Sequence, residues 1–63
     1  MHANLDRLVG KKALYHGARN MREVVIQGWF VSDKHEFPQI VFSYENGYIN
    51  MDSLTYLELV DRE

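Results

Sequence analysis

The chain has 63 residues, no Cys, 46% hydrophobic residues and a formal charge of −2. That length makes one domain, of a size that buries only about 60% of its unfolded surface, and the absence of Cys excludes disulfide staples and thiolate chemistry. The composition excludes disorder, the longest uncharged apolar run, Val24 to Ser32, is far too short to span a membrane, and the opening MHANLDRLVGKK lacks the apolar core and small-residue cleavage site of a signal peptide.

The expected compartment is therefore the cytoplasm. Three His, at positions 2, 16 and 35, have no metal-ligand spacing, so no metal is expected. Residues 1–32 carry five basic against two acidic residues, a charge of +3, and residues 33–63 carry two against seven, a charge of −5. Such asymmetry can mark a binding face, although the two halves of a small barrel interleave in space.

In chain order, Asn4 to Val9 reads either as one helical turn, capped by Asn4 and ended by Gly10, or as an extended lead-in. Lys12 to His16 reads as a first strand with Ala13 and Tyr15 on one face and Leu14 and His16 on the other. Gly17 to Met21 has turn chemistry, with Gly17 and Asn20 suited to positive φ. Arg22 to Ser32 is the longest strand, rich in β-branched and aromatic residues. Gly28 inside it predicts a bulge or bend.

Asp33 to Pro38 is a polar loop, and Gln39 to Glu45 a third strand with Ile40, Phe42 and Tyr44 on one face. Asn46-Gly47 is the strongest hairpin signal and predicts a type I′ turn. Tyr48 to Met51 returns as the fourth strand. Asp52 and Ser53 then cap a short helical turn through Tyr56, and Leu57 to Val60 forms the fifth strand before a charged tail. The expected fold is all-β: residues 1–63 form a single five-stranded small β-barrel with a short helical turn before the last strand.

About fifty positions resemble the Src-homology-three-like small barrels, including their bacterial, Tudor and KOW-type relatives. The resemblance rests on Gly10-Lys11-Lys12-Ala13-Leu14-Tyr15, Gly28-Trp29-Phe30-Val31, Ile40-Val41-Phe42 before Glu45-Asn46-Gly47, and Leu54 to Val60. Ala13-Leu14-Tyr15-His16 and Ser53-Leu54-Thr55-Tyr56-Leu57 are also similar in outline to the first strand and final turn of the eukaryotic signalling domains. The acidic loop of those domains is replaced here by Gly17-Ala18-Arg19-Asn20, the tryptophan comes earlier, and the proline before the final turn is absent, so a polyproline groove is not expected.

Strand parity places Ile26, Gly28 and Phe30 on one face and Val25, Gln27, Trp29 and Val31 on the other. Both faces are apolar, and so small a protein cannot hide both in one core. Either one face is covered by another chain or remains an exposed patch, or a bulge at Gly28 shifts the parity and turns Trp29 inward. The residues expected to bind a partner are Trp29, Phe30, Val25, Val31 and Tyr15 as apolar anchors, with Arg19 and Arg22 steering an acidic partner.

The expected function is non-catalytic protein binding, by a small bacterial or phage accessory protein that docks on a larger protein and regulates it. Homodimerisation through an edge strand or the Val25–Trp29–Val31 face accompanies that reading. The competing class is a nucleic-acid-binding barrel. It would use Lys11, Lys12, Arg19 and Arg22 for phosphates, with Tyr15 and Tyr48, beside Tyr44, Tyr56 and Trp29, as a stacking platform. A third class is a structural subunit of a larger assembly. Asp33, His35 and Glu36 share one loop, but no nucleophile, phosphate loop or metal set converges on them. No enzyme activity, cofactor or small-molecule substrate is expected.

Overall fold

Residues 5–60 are described by a computed structural model. The strands are β1 (Lys12–Tyr15), β2 (Arg22–Phe30), β3 (Gln39–Tyr44), β4 (Ile49–Ser53) and β5 (Leu57–Leu59). They form one antiparallel sheet in the order β4-β3-β2-β1-β5. The protein is all-β, and among the described residues no helix is long and apolar enough to cross a membrane. The sheet is open: β4 and β5 stand at its two ends and are not paired with each other.

The first element is a 3-10 turn, Leu5–Leu8, rather than an extended lead-in. Asn4, its expected cap, lies outside the described residues, as does the charged tail after Val60. Gly10 ends the turn at φ +90°, in the left-handed region that side chains avoid. Its N–H donates to the Ile26 carbonyl, and Ile26 N–H donates to the carbonyl of Lys11. Two residues thus face one, a glycine-led bulge that bends the chain into β1.

The β1–β2 connection turns without positive φ at Gly17 or Asn20. Gly17 is needed for space instead: a Cβ there would sit 2.5 Å from the Tyr15 hydroxyl. In β2 the expected bulge is present. Ile26 pairs with Phe42 and Gly28 with Val41, which leaves Gln27 unmatched.

The bulge inverts the parity of β2. Before it, Val24 and Ile26 face inward; after it Trp29, opposite Ile40, does. The core comprises Ala13, Tyr15, Val24, Ile26, Ile40 and Phe42, with Leu8, Trp29, Tyr44, Leu54 and Leu57 packed around it. Burying a side chain of the size of Ile or Phe contributes about 1.5–3 kcal/mol. Leu5 in the first turn is also buried.

The sheet is strongly curled. β1 and β4 are separated by two strands, which would place them about 14 Å apart in a flat sheet. Yet the Tyr15 hydroxyl donates to Asp52 Oδ2 at 2.5 Å across the inner face. That bond and burial raise the Tyr15 pKa from 10.0 to about 12: the Asp52 hydrogen bond has the largest effect, then desolvation, then the charge of Asp52.

The Asn46-Gly47 hairpin forms, but not as a type I′ turn. Only Gly47 has positive φ, at +91°, whereas type I′ needs it at both residues. Tyr44 N–H donates to Tyr48 O, and Gly47 N–H to Tyr44 O. This is a three-residue loop, Glu45 to Gly47, with its left-handed residue last. Ser53 alone caps the second 3-10 turn, Leu54–Tyr56, its side chain accepting from Thr55 N–H, because Asp52 is turned inward to Tyr15.

Candidate interaction face

The outer face of the sheet follows from the register. Val25 lies opposite Ser43, Gly28 opposite Val41, and Phe30 opposite Gln39. On the far side of β3, Val41 is opposite Met51 and Ser43 opposite Ile49. Phe30, Val41, Met51, Ile49 and Val25 therefore share one surface across three strands. Ile49 is 62% exposed, Met51 51% and Phe30 38%; Val25 and Val41 are half-buried.

β4 is the unusual strand. Its partners place Asn50 opposite Phe42 and Asp52 opposite Ile40, both core residues. Asn50, though still exposed, and the half-buried Asp52 thus lie on the core side of the strand, and Ile49 and Met51 lie on the outer side with Ser53. An antiparallel strand with one wet face ordinarily does the reverse. The inward polar groups are satisfied: Asn50 Nδ2 donates to the Tyr44 hydroxyl at 2.9 Å, and Asp52 accepts from Tyr15.

The exposed edge of β4 is also modified. Residues 49, 51 and 53 direct their backbone amides away from β3, since the hydrogen-bonded pairs alternate with them. Met51 N–H donates to Asn50 Oδ1 at 2.7 Å, and Ser53 N–H to Asp52 Oδ1 at 2.8 Å. Two of the donors that an added strand would need are therefore already occupied.

At one side of the apolar surface lies a depression of about 150 Å³, lined by Lys12, Glu23, Val24, Val25, Ser43, Tyr44 and Glu45. Lys12 and Glu23 form an ion pair at 3.9 Å on its rim. Further along, Leu14 on β1 lies opposite both Glu23 and Glu58. Glu58 Oε1 lies 3.0 Å from His16 Nε2.

The residues singled out from sequence are distributed over several places. Trp29 does not share a face with Val25: the bulge separates them, and Trp29 packs against the core with its indole N–H donating to Asp6 Oδ1 at 2.8 Å. The continuous Val25–Trp29–Val31 face therefore does not exist. Phe30 and Val25 lie together on the outer face, whereas Val31 is exposed just beyond the end of β2. Tyr15 is 5% exposed and belongs to the core, not to a surface.

Arg22 stacks over the Tyr44 ring at 4.8 Å, and Arg19 is exposed in the β1–β2 connection. Lys12 begins β1, while Arg22 pairs with Tyr15 at its other end, about 10 Å along the strand. Glu23 lies between them, and Lys11 is half-buried. The tyrosines form no single platform: Tyr15 and Tyr44 pack edge-on at 6.5 Å in and beside the core, and Tyr48 and Tyr56 are exposed in two separate segments. Asp33, His35 and Glu36 are all exposed.

Ile49 and Met51 escaped the sequence reading. Their alternation with Asn50 and Asp52 was visible in YINMDS, but which set faces the core is decided by the hairpin register. No protein family, curated protein or solved structure matches the chain.

Proposed function

We propose that this chain is a non-catalytic protein-interaction module, a Src-homology-three-like small barrel whose curled sheet docks on a larger protein and regulates it in the cytoplasm. The inverted β4 strand carries the reading. Ile49 and Met51 stand in solvent beside Phe30, Val41 and Val25, while Asn50 and Asp52 occupy the inner face. An apolar surface of this kind, crossing three strands of so small a domain, marks an interaction site. The curl that brings β4 within reach of β1 supports the barrel-like assignment.

The test is site-specific photo-crosslinking in cells that carry the protein. A photoreactive residue at Met51 or Ile49 is expected to give an adduct with a larger protein, and one at Asn20 is not. Adducts from Asn20 alone, or none from either face position, would refute the proposal. The nucleic-acid reading draws support from Arg22 over Tyr44, but Glu23 interrupts its basic residues. A mobility-shift assay at low salt, where even non-specific binding is favoured, is expected to show no complex.

A further inference from the structure

We infer that the outer face accepts a protein segment that carries apolar side chains beside lysine or arginine, held face-on rather than by strand addition. This rests on the docking reading above and adds the chemistry of the partner. The first argument is the charge around the patch. Glu23 and Glu58 flank Leu14 on the outer face, and Glu45 joins Glu23 at the rim of the depression beside Val25. Among the described residues lining that depression, Lys12 is the single cation, and it already pairs with Glu23.

The depression is suited to one long basic side chain. Val25 and Ser43 offer a surface for its methylene stem, and Glu23 and Glu45 stand where its charged end would emerge. Lysine and arginine bury their stems on apolar surface and keep their charge at the rim in this manner. A second copy of the chain fits less well, because its own outer face presents the same carboxylates, and among the described residues Lys12 is already paired with Glu23 and His16 with Glu58. Such like-charge juxtaposition selects against a wrong partner.

The second argument concerns geometry. Strand addition on β4 needs its outward amides, and Met51 and Ser53 have theirs engaged by Asn50 and Asp52. The face remains open where the edge is obstructed. Gly28 puts no side chain on it, and a Cβ there would meet nothing within 4 Å beyond its chain neighbours, while Gln27 next to it donates to Ser43 Oγ at 2.9 Å.

The experiment selects a displayed library of randomised peptides against the immobilised domain, alongside light scattering of the free protein. The expected winners combine apolar residues with an excess of lysine and arginine. They bind Met51→Lys or Ile49→Lys at least tenfold more weakly, and lose roughly tenfold with Glu45→Lys, a reversal of one rim charge. All three positions are exposed, and thermal unfolding verifies that each variant is folded. Winners that are apolar but neutral or acidic would overturn the partner chemistry while leaving the docking reading intact. Winners indifferent to both Met51→Lys and Ile49→Lys, or no winners from a monomeric protein, would overturn both. A dimer abolished by Met51→Lys would assign the face to a second copy and overturn the inference.

Discussion

The Tyr15–Asp52 bond ties β1 to β4 across the inner face, and its removal has a calculable pH signature. Tyr15 holds its proton up to about pH 12 in the folded protein, against 10.0 in the unfolded chain. Below pH 10 both states are protonated and the full contribution of the bond is present. Between pH 10 and 12 the unfolded chain ionises first, so unfolding releases a proton and stability falls as pH rises. Each pH unit is worth about 1.4 kcal/mol, giving a loss of about 3 kcal/mol across the interval. A domain of this length has a total stability of about 3–9 kcal/mol.

Tyr15→Phe removes the hydroxyl and leaves Asp52 without that donor. A hydrogen bond to a charged group contributes about 1.5–3 kcal/mol, and Asp52 is only half-buried, so the lower part of that range applies. Urea unfolding at pH 8 is expected to show wild type more stable by about 1.5–2 kcal/mol. By pH 12 the gap is expected to close or change sign, because wild type then holds two adjacent anions and the variant one. Effects of the other titrating groups are common to both proteins and cancel in the difference. Tyrosinate absorbance provides a second measurement, with the late ionisation of Tyr15 present in wild type and missing from the variant. A gap that stays constant from pH 8 to pH 12 would refute the assignment.

Other substitutions follow from the same geometry. Gly17→Ala is expected to destabilise by about 1–3 kcal/mol through overpacking. The loss should persist in the Tyr15→Phe background, since ring carbons at 2.6 and 2.7 Å remain in the way; a stability equal to wild type by thermal unfolding would contradict the close approach. Gly28→Ala meets nothing beyond its chain neighbours and requires no positive φ, so it should stabilise by about 0.4–1 kcal/mol by restricting the unfolded chain; a marked fall in the urea midpoint would count against the open space at this position. Phe42→Ala empties the centre of the core at a cost of about 3–5 kcal/mol, enough to leave much of the protein unfolded at 25 °C by circular dichroism.

Much of the strand plan was legible because it is local. Gly28 inside an apolar strand marked the bulge, Asn46-Gly47 marked the hairpin, and Ser53 marked the last cap; each is a property of a few consecutive residues. The consequence of register was legible for Trp29 only as one of two alternatives. One unmatched residue at Gln27 exchanges the faces of Trp29 and Phe30, so the side chain that reads as the natural anchor packs against the core instead. Tyr15 reads from sequence as a partner-binding anchor or part of a stacking platform, and only the curl of the sheet reveals Asp52 as its partner. Gly17 reads as a positive-φ turn residue, yet its role is to leave room for a ring two residues earlier. In each case the deciding contact spans an irregular strand or distant elements, where periodicity carries no information.

The hairpin shows how much a single residue of register decides. A two-residue type I′ loop at Asn46-Gly47 would pair Glu45 with Tyr48 and, by extension, Phe42 with Met51, placing Ile49 and Met51 in the core. The observed three-residue loop pairs Tyr44 with Tyr48 and Val41 with Met51, and a slip of one residue moves every side chain to the other face. The outward register forgoes burial of two apolar side chains and gains the bonds of Asn50 and Asp52 to the tyrosine hydroxyls. The chain has no native Cys, so paired cysteines can report which register exists. Val41 and Met51 are a non-hydrogen-bonded pair, with Cα atoms about 4.5 Å apart, within the span of a disulfide. Val41→Cys with Met51→Cys is expected to oxidise rapidly in the folded protein, and Phe42→Cys with Met51→Cys only after unfolding. The opposite result would place Ile49 and Met51 in the core and remove the surface on which both the proposed docking and its partner chemistry depend.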